Sequence, residues 1–378
     1  MMKKVLLVMP LSTLKWGSDN AGGVDSVCQQ IVQSLEFSAP KGFEYEILAI
    51  KVGSSQQELN QRIQLNERTH VTFIASKGKI LGVPVPGFVF QNVKLSELAR
   101  RFQPDVIHSH LPSLPLLPTG NAHSVLTLHS LGKVARKRRS WLNNLIFETV
   151  LPAFSLRSAD RLTYVGDILF DSLPNALRAK AHKVGNPVND VYFKQTKRST
   201  SETLRLVTCS LISPRKQVDQ IIRLLAQLAS TINVELKIIG PVDENYAREL
   251  NTLAEELSVA ERMVWLGPMN VEQIKQVYEN SDVGVFLSRE ETFGLAPLEK
   301  LASGLPVIAT EVGILQEEQT YFSAAGVHYT LADGSEKETE NVLQFLHNLP
   351  EVDTESLKAK FSPRAVVDEY QKLYGELL

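Results

Sequence analysis

Four consecutive pieces of the chain decide its fold: Val283-Gly284-Val285-Phe286-Leu287, then Ser288 to Gly294, then Leu295 to Ala302, then Pro306-Val307-Ile308-Ala309. The first is a short apolar run, the second a polar loop, the third reads as a helix and the fourth is apolar again. Four- to six-residue apolar runs separated by helical segments are the pattern of parallel strands buried on both faces. The same rhythm runs outward in both directions. Leu204–Cys209, Glu235–Ile239 and Met263–Leu266 read as further strands, and Val218–Ala229 and Tyr246–Glu256 as helices. Toward the N-terminus, Val5–Met9 is followed by a helical pattern over Val24–Leu35. Tyr45–Ile50, Val71–Ala75, Val106–Ile107, Ser124–Leu128 and Arg161–Val165 continue the strand series. The expected class is α/β with doubly wound parallel sheets.

The rhythm breaks once. Gly185-Asn186-Pro187 is a turn signal and Lys194 to Glu202 is polar and charged. With 378 residues, the chain is too long for one typical core, and two domains of roughly 150–200 residues each are expected. The expected division is residues 1–186, 187–360 and a C-terminal helix over 361–378. That helix is marked by Ser362, Pro363 in its first turn and apolar residues at helical spacing. Two doubly wound domains with ligands bound beyond the carboxyl ends of their strands suit a two-substrate reaction in a cleft.

Composition excludes several classes. Hydrophobic residues are 43% and charged residues 22%, ordinary for a globular protein, and the net charge of −2 gives no reason to expect nucleic acid. Cys28 and Cys209 are far apart and in no metal-type spacing, which fits a reducing, cytoplasmic setting. Val5–Met9 is too short for a secretory apolar segment, and no stretch nears the roughly 20 apolar residues of a membrane span.

The loop and helix from Ser288 carry the chemistry. Glu291 lies on the loop, and Glu299 lies one turn inside the following helix. Between them Phe293, Gly294 and Leu295 open the helix, where free backbone N–H groups favour an anion. Acidic acceptors for hydroxyls beside an anion cradle are what a sugar diphosphate needs. By themselves, two such glutamates read more readily as a cap and a solvated helix residue. Pro214-Arg215-Lys216 opens a helix after the strand ending at Cys209, and a lysine at the positive end of a helix is unfavourable unless an anion sits there. His108, His110 and His129 could form a three-histidine metal site. No Asp-x-Asp pair occurs in the sequence. Arg136-Lys137-Arg138-Arg139 precedes Trp141 and an apolar helical segment, which reads as an anionic membrane surface, a phosphorylated acceptor site or a solvated basic turn.

Glu291-x7-Glu299 around Phe293-Gly294-Leu295, followed by Gly304-x-Pro306-Val307-Ile308-Ala309-Thr310, resembles the family 4 glycosyltransferases. Further features occur in order: Gly22-Gly23 after the first strand, His108-Ser109-His110, Thr127-Leu128-His129, Asn186-Pro187-Val188-Asn189 with Phe193, Lys216, and the final helix with Tyr370. The resemblance implies the GT-B fold and retaining hexosyl transfer from a nucleotide diphosphate sugar, with UDP the default, and no metal or other cofactor. It implies a donor-binding C-terminal domain and an acceptor-binding N-terminal domain. In that frame Glu291 and His129 serve the transferred sugar, Glu299 the ribose, Lys216 the diphosphate and Met269 the base. Phe293, Gly294, Leu295, Gly22 and Gly23 line the donor site. Arg136, Lys137, Arg138, Arg139 and Trp141 face an acceptor or a membrane. The expected acceptor is a glycan, a lipid-linked sugar or another molecule, the expected setting is cell-surface polysaccharide or glycoconjugate synthesis in the cytoplasm or at the inner membrane face, and the oligomeric state is open.

Three departures stand out. Ser210 and Leu211 occupy the place of an arginine, Gln217 that of a glycine, and Val312-Gly313-Ile314-Leu315-Gln316-Glu317 a reduced form of a Gly-Gly-x-Pro-Glu loop. Arg215 is the candidate substitute for the arginine. These departures motivate a second reading, a catalytically silent subunit that stabilises a partner transferase; an epimerase or phosphorylase on the same fold is a third.

Overall fold

The computed structural model describes residues 2–38, 41–112, 114, 120–130, 151–193, 201–332 and 334–378. The chain divides into two compact units, Met1–Pro187 with Pro363–Leu378, and Val188–Ser362.

The first unit is built on an eight-stranded sheet. Its strands are β1 (Lys3–Leu11), β2 (Phe43–Lys51), β3 (Arg62–Asn66), β4 (Thr69–Ile74), β7 (Val106–Ser109), β8 (His123–Leu128), β9 (Arg161–Tyr164) and β10 (Ala181–Lys183), in the order β10-β9-β8-β7-β1-β2-β4-β3. All neighbours are parallel except β3, which pairs antiparallel with β4 at the edge. Val5 to Met9 are essentially inaccessible, as a central strand covered on both faces requires. β5 (Gly78–Ile80) and β6 (Val83–Val85) form a separate hairpin. Helix Gly87–Phe102 follows and buries Phe90, Leu95, Leu98 and Ala99 against Leu6, Val8 and Leu48. The final helix, Pro363–Leu377, packs in this same unit against helix Gly23–Phe37.

The second unit is a six-stranded, wholly parallel sheet. Its strands are β11 (Leu204–Cys209), β12 (Val234–Ile239), β13 (Met263–Gly267), β14 (Val283–Phe286), β15 (Val307–Ala309) and β16 (Val327–Tyr329), ordered β13-β12-β11-β14-β15-β16. The order reverses between β11 and β14, so the loops after these two strands stand side by side. That is the switch point at which doubly wound sheets bind ligands. Among the described helices, Val218–Ala229 is the most strongly amphipathic and buries Val218, Ile221, Ile222, Leu225 and Leu228 on the sheet. The strand–helix series read from the sequence holds in both units; the edge strands β3, β10 and β16 and the hairpin are additions to it.

Candidate active site

The site of the second unit is assembled by two loops at the switch point. The loop after β11 passes through a 3₁₀ turn, Pro214–Lys216, into helix Val218–Ala229. The loop after β14 runs from Leu287 to Gly294 and enters helix Leu295–Ala302. They are stitched together: the Arg289 N–H donates to the Arg215 carbonyl at 2.9 Å, and the Thr310 hydroxyl braces the second loop through the Ser288 carbonyl at 2.6 Å.

This stitching brings Glu291 to Lys216. The Lys216 ammonium makes a short ion pair with Glu291 Oε1, and the Ser288 hydroxyl donates to the same oxygen at 2.7 Å. Arg215 reaches the other oxygen at 3.9 Å while donating to the Glu290 carbonyl at 3.1 Å. Lys216 and Glu291 keep only 13% and 11% of their side-chain surface, whereas Arg215 keeps 41%. Water screens the arginine far more than the other two. One carboxylate, two cations and a hydroxyl thus converge from residues 75 positions apart.

Two of the departures now have a physical meaning. Gln217 sits in the left-handed region, φ 48°, at the entry to its helix. The chain keeps the conformation a glycine would adopt, at a strain of about 1–2 kcal/mol for a residue with a Cβ. Gly313 has φ 56°, and a Cβ there would approach the Phe293 carbonyl to 2.3 Å. Ile314 donates its N–H to that carbonyl at 2.8 Å, so the shortened loop still closes over the Phe293 turn.

Several of the residues read as donor-binding have a different immediate role. Phe293 is buried, and its ring meets Phe361 edge-on at 6.4 Å. It anchors the turn from inside. Gly294, at φ 98°, is the cap residue from which helix Leu295–Ala302 departs, with Leu295 its first residue. Glu299 is half-buried, and burial pushes its carboxyl above the usual range, opposed by Lys300 and Lys216. Met269 is half-buried on the loop after β13, just before Asn270 caps the next helix through a reciprocal bond with Gln273. The loop ends beside it are tied, with the Gly240 N–H donating to the Gly267 carbonyl at 2.9 Å.

In the first unit Gly22 caps helix Gly23–Phe37 at φ 128°, and a Cβ on either glycine would meet nothing within 4 Å. The loop before it is held by Asp25, which accepts from the Ser12 and Ala21 N–H groups at 2.8 Å each, and by Gln29, which donates to Ser12 Oγ, the Asp19 carbonyl and Asp25. Gly22 and Gly23 therefore lie at an open helix start whose preceding loop is hydrogen-bonded to the helix.

The histidines form something the sequence did not signal. His108 bonds Tyr374 through Nδ1 and Thr127 through Nε2, each at 2.6 Å, and Thr127 continues to Thr163 at 2.5 Å. His110 Nδ1 and His129 Nε2 are 2.9 Å apart, their rings stacked at 5.2 Å. All three rings are buried, and burial pushes their protonation down, His108 to about 3 and His129 to about 4, the latter against the opposing pull of Asn186. Both His108 nitrogens are engaged by Tyr374 and Thr127, which leaves no third ring nitrogen for a three-histidine site. Among the described residues no group of three His, Cys, Asp or Glu has an arrangement able to hold a metal. The His129 ring looks inward to His110. Periodicity placed these histidines at strand ends; only Tyr374, some 266 residues from His108, reveals the network.

Arg136, Lys137, Arg138, Arg139 and Trp141 lie outside the described residues. Among the described residues no helix is long and apolar enough to cross a membrane.

Comparison with known proteins agrees with this architecture. Residues 192–353 match the family model described as glycosyl transferases group 1, and residues 21–190 match that of Glycosyltransferase Family 4. The chain is 26% identical over 310 residues to the N-acetyl-alpha-D-glucosaminyl L-malate synthase of Bacillus anthracis, spanning 75% of this chain and 78% of that one. It is 25% identical over 323 residues to the D-inositol 3-phosphate glycosyltransferase of Pseudarthrobacter chlorophenolicus, spanning 79% and 76%. Among solved structures, sucrose-phosphate synthase from Thermosynechococcus elongatus superposes with a TM-score of 0.70 at 18% identity, covering 99% of both chains. Anabaena HepE in complex with UDP-glucose does so with 0.68 at 15% identity, again covering 99% of both. Two doubly wound units, the paired glutamates after β14 and these matches along most of the sequence lead to one conclusion: the chain belongs to the family 4 glycosyltransferases of the GT-B fold.

Proposed function

We propose that the protein transfers a hexose from a nucleotide diphosphate sugar, a UDP-sugar by default, with retention at the anomeric carbon and without a metal. The observation that carries this reading is the convergence of Lys216, Arg215, Ser288 and Glu291 at the switch point. A departing diphosphate needs cations, and Lys216 and Arg215 offer two on one short turn. A sugar ring needs a fixed acceptor for its hydroxyls, and Glu291 is fixed by Ser288. Lys216 and Glu291 satisfy each other, and the donor would replace that pair with phosphate on one side and hydroxyl on the other. Glu299 is proposed to hold the ribose, the loop at Met269 the base, and Gly22, Gly23 and His129 to be the contribution of the first unit. The sequence has no Asp-x-Asp pair for a divalent cation, which favours phosphate charge being met by side chains.

The acceptor is proposed to be a glycan or lipid-linked sugar handled at an anionic membrane surface. The Gly78–Val85 hairpin supports that setting: Leu81 is 98% exposed at its tip beside exposed Val83, with Lys77 and Lys79 next to them. The names of the two curated relatives contain malate and inositol 3-phosphate, so small anionic acceptors belong in the same screen.

Calorimetry with a panel of nucleoside diphosphates, followed by mass spectrometry of products from a matching donor panel and a cell extract, tests the reading. Binding of one diphosphate and a mass gain of one hexose on an acceptor are expected. Binding of none, with no hexosyl product, would replace it with the silent-subunit reading.

A further inference from the structure

Lys300 follows Glu299 on helix Leu295–Ala302 and is 0% exposed. Its stem lies in a notch left by Gly284 in the middle of β14, where a Cβ would come within 2.4 Å of Lys300 Cδ. A glycine weakens a strand interior unless something must approach its backbone closely, and here that something is the lysine. The ammonium donates to the Ala296 carbonyl at 3.2 Å and stands 5.6 Å from the Tyr278 ring centre and 5.9 Å from that of Phe286. No carboxylate ion-pairs with it among the described residues. Burying an ammonium without an anion is strongly unfavourable, and a residue needed only for volume would be leucine or methionine. The charge therefore points to an anion that arrives with a ligand.

The place of that anion follows from Phe286. The Lys216 ammonium stands 5.3 Å from the centre of the same ring, so two ammonium groups share one aromatic side chain, one from the 3₁₀ turn after β11 and one from the helix after β14. The ionisable groups around Lys300 are Glu299 on its own helix, Cys209 at the end of β11, Lys216 on the 3₁₀ turn, Tyr278 on helix Val271–Glu279 and Tyr192, which also senses Glu299 and Cys209. Burial pushes the Cys209 thiol up to about 11 and both phenols higher, so these are neutral near neutral pH. Burial lowers the Lys300 ammonium, and Glu299 and Cys209 oppose that.

We propose that Lys300 is a third cation of the donor site beside Lys216 and Arg215, a positioning residue that acts on the nucleoside diphosphate through the low-dielectric interior around Phe286. This rests on the reading that Lys216 and Glu291 hold the donor. It accounts for the absence of an arginine at Ser210 and Leu211: the charge comes from the helix after β14 instead. The effect of one buried charge at such a range is about 10- to 30-fold in affinity.

The experiment compares wild type with Lys300→Met in the full chain. Calorimetry is run with the best-binding nucleoside diphosphate and, by competition, with its parent nucleoside. Lys300→Met is expected to weaken the diphosphate about 10- to 30-fold and leave the nucleoside unchanged. Equal losses on both, or no loss on the diphosphate, would overturn the proposal and leave Lys300 a packing residue. A second measurement does not depend on the variant folding. In wild type, diphosphate binding is expected to take up a proton and to weaken as pH rises from 7.5 toward 8.5, above the ionisation of the phosphate and below that of a uracil or guanine ring. Binding without proton uptake across that range overturns the proposal while leaving the donor-site reading intact. A wild type that binds no nucleoside diphosphate overturns both.

Discussion

The two polar clusters of the molecule are built on opposite principles. In the first unit, His108, His110, His129, Thr127, Thr163 and Tyr374 are buried and neutral, and hydrogen bonds join them in two sets, Tyr374–His108–Thr127–Thr163 and His110–His129. In the second unit, Lys216, Glu291 and Arg215 are charged, partly exposed and paired in a way that a ligand can replace. Both clusters sit at the carboxyl ends of parallel strands. Desolvation separates them: a neutral network can be sealed into a core and fix one helix to one sheet, whereas charges that must bind and release phosphate need access to water. The first is expected to control stability and the second turnover.

Glu291→Ala is the hardest test of that contrast. It is expected to lower transfer by more than about 100-fold, the scale of losing a preorganised group at the reacting centre, while the melting temperature stays within about 3 °C. Near wild-type turnover in a well-folded variant would remove Glu291 from the site. Lys216→Ala comes next, with an expected loss of about 1.5–3 kcal/mol of transition-state stabilisation, or about 10- to 150-fold in kcat/KM. A change below about twofold would make Lys216 a structural partner of Glu291 only.

The first unit offers the reverse experiment. Its histidines are held below the ordinary histidine value, so the unfolded chain takes up protons that the folded chain refuses. Their stabilising contribution is complete above about pH 6.5 and is lost as pH falls through 6.5 toward the folded values near 4 and 3. Each contributes a slope approaching about 1.4 kcal/mol per pH unit in that window. Denaturant unfolding at pH 7, 6 and 5 should show the drop, and Tyr374→Phe should cost a further ~1 kcal/mol or so by leaving His108 Nδ1 without its partner. Flat stability between pH 7 and 5 would mean the rings titrate freely.

Arg215→Ala is expected to be the mildest. Its guanidinium is the most exposed of the cluster and lies 3.9 Å from Glu291, so a loss of under about 1 kcal/mol is expected, smaller than for Lys216. A double-mutant cycle on Arg215 and Lys216 sharpens this: additivity identifies Arg215 as a rim charge, and strong coupling would make it the substitute for the arginine absent at Leu211.

The sequence by itself determined the alternation of buried strands and helices, the two-unit organisation and the identity of the paired glutamates and Lys216. Those features are written in local periodicity and short spacings: Val218–Ala229 and Leu295–Ala302 begin and end where their residue patterns change. Only the tertiary structure decided what each polar side chain meets. It set His108 between Tyr374 and Thr127 and His110 against His129, buried the Phe293 ring against Phe361, and set Glu291 on Lys216 across 75 residues. It also revealed Lys300, which in the sequence is one more helical lysine among 40 basic residues. The physical reason is common to all four. Apolar burial follows a period that a single segment carries, whereas the state of a polar or charged group depends on how much water and which partners the fold leaves around it.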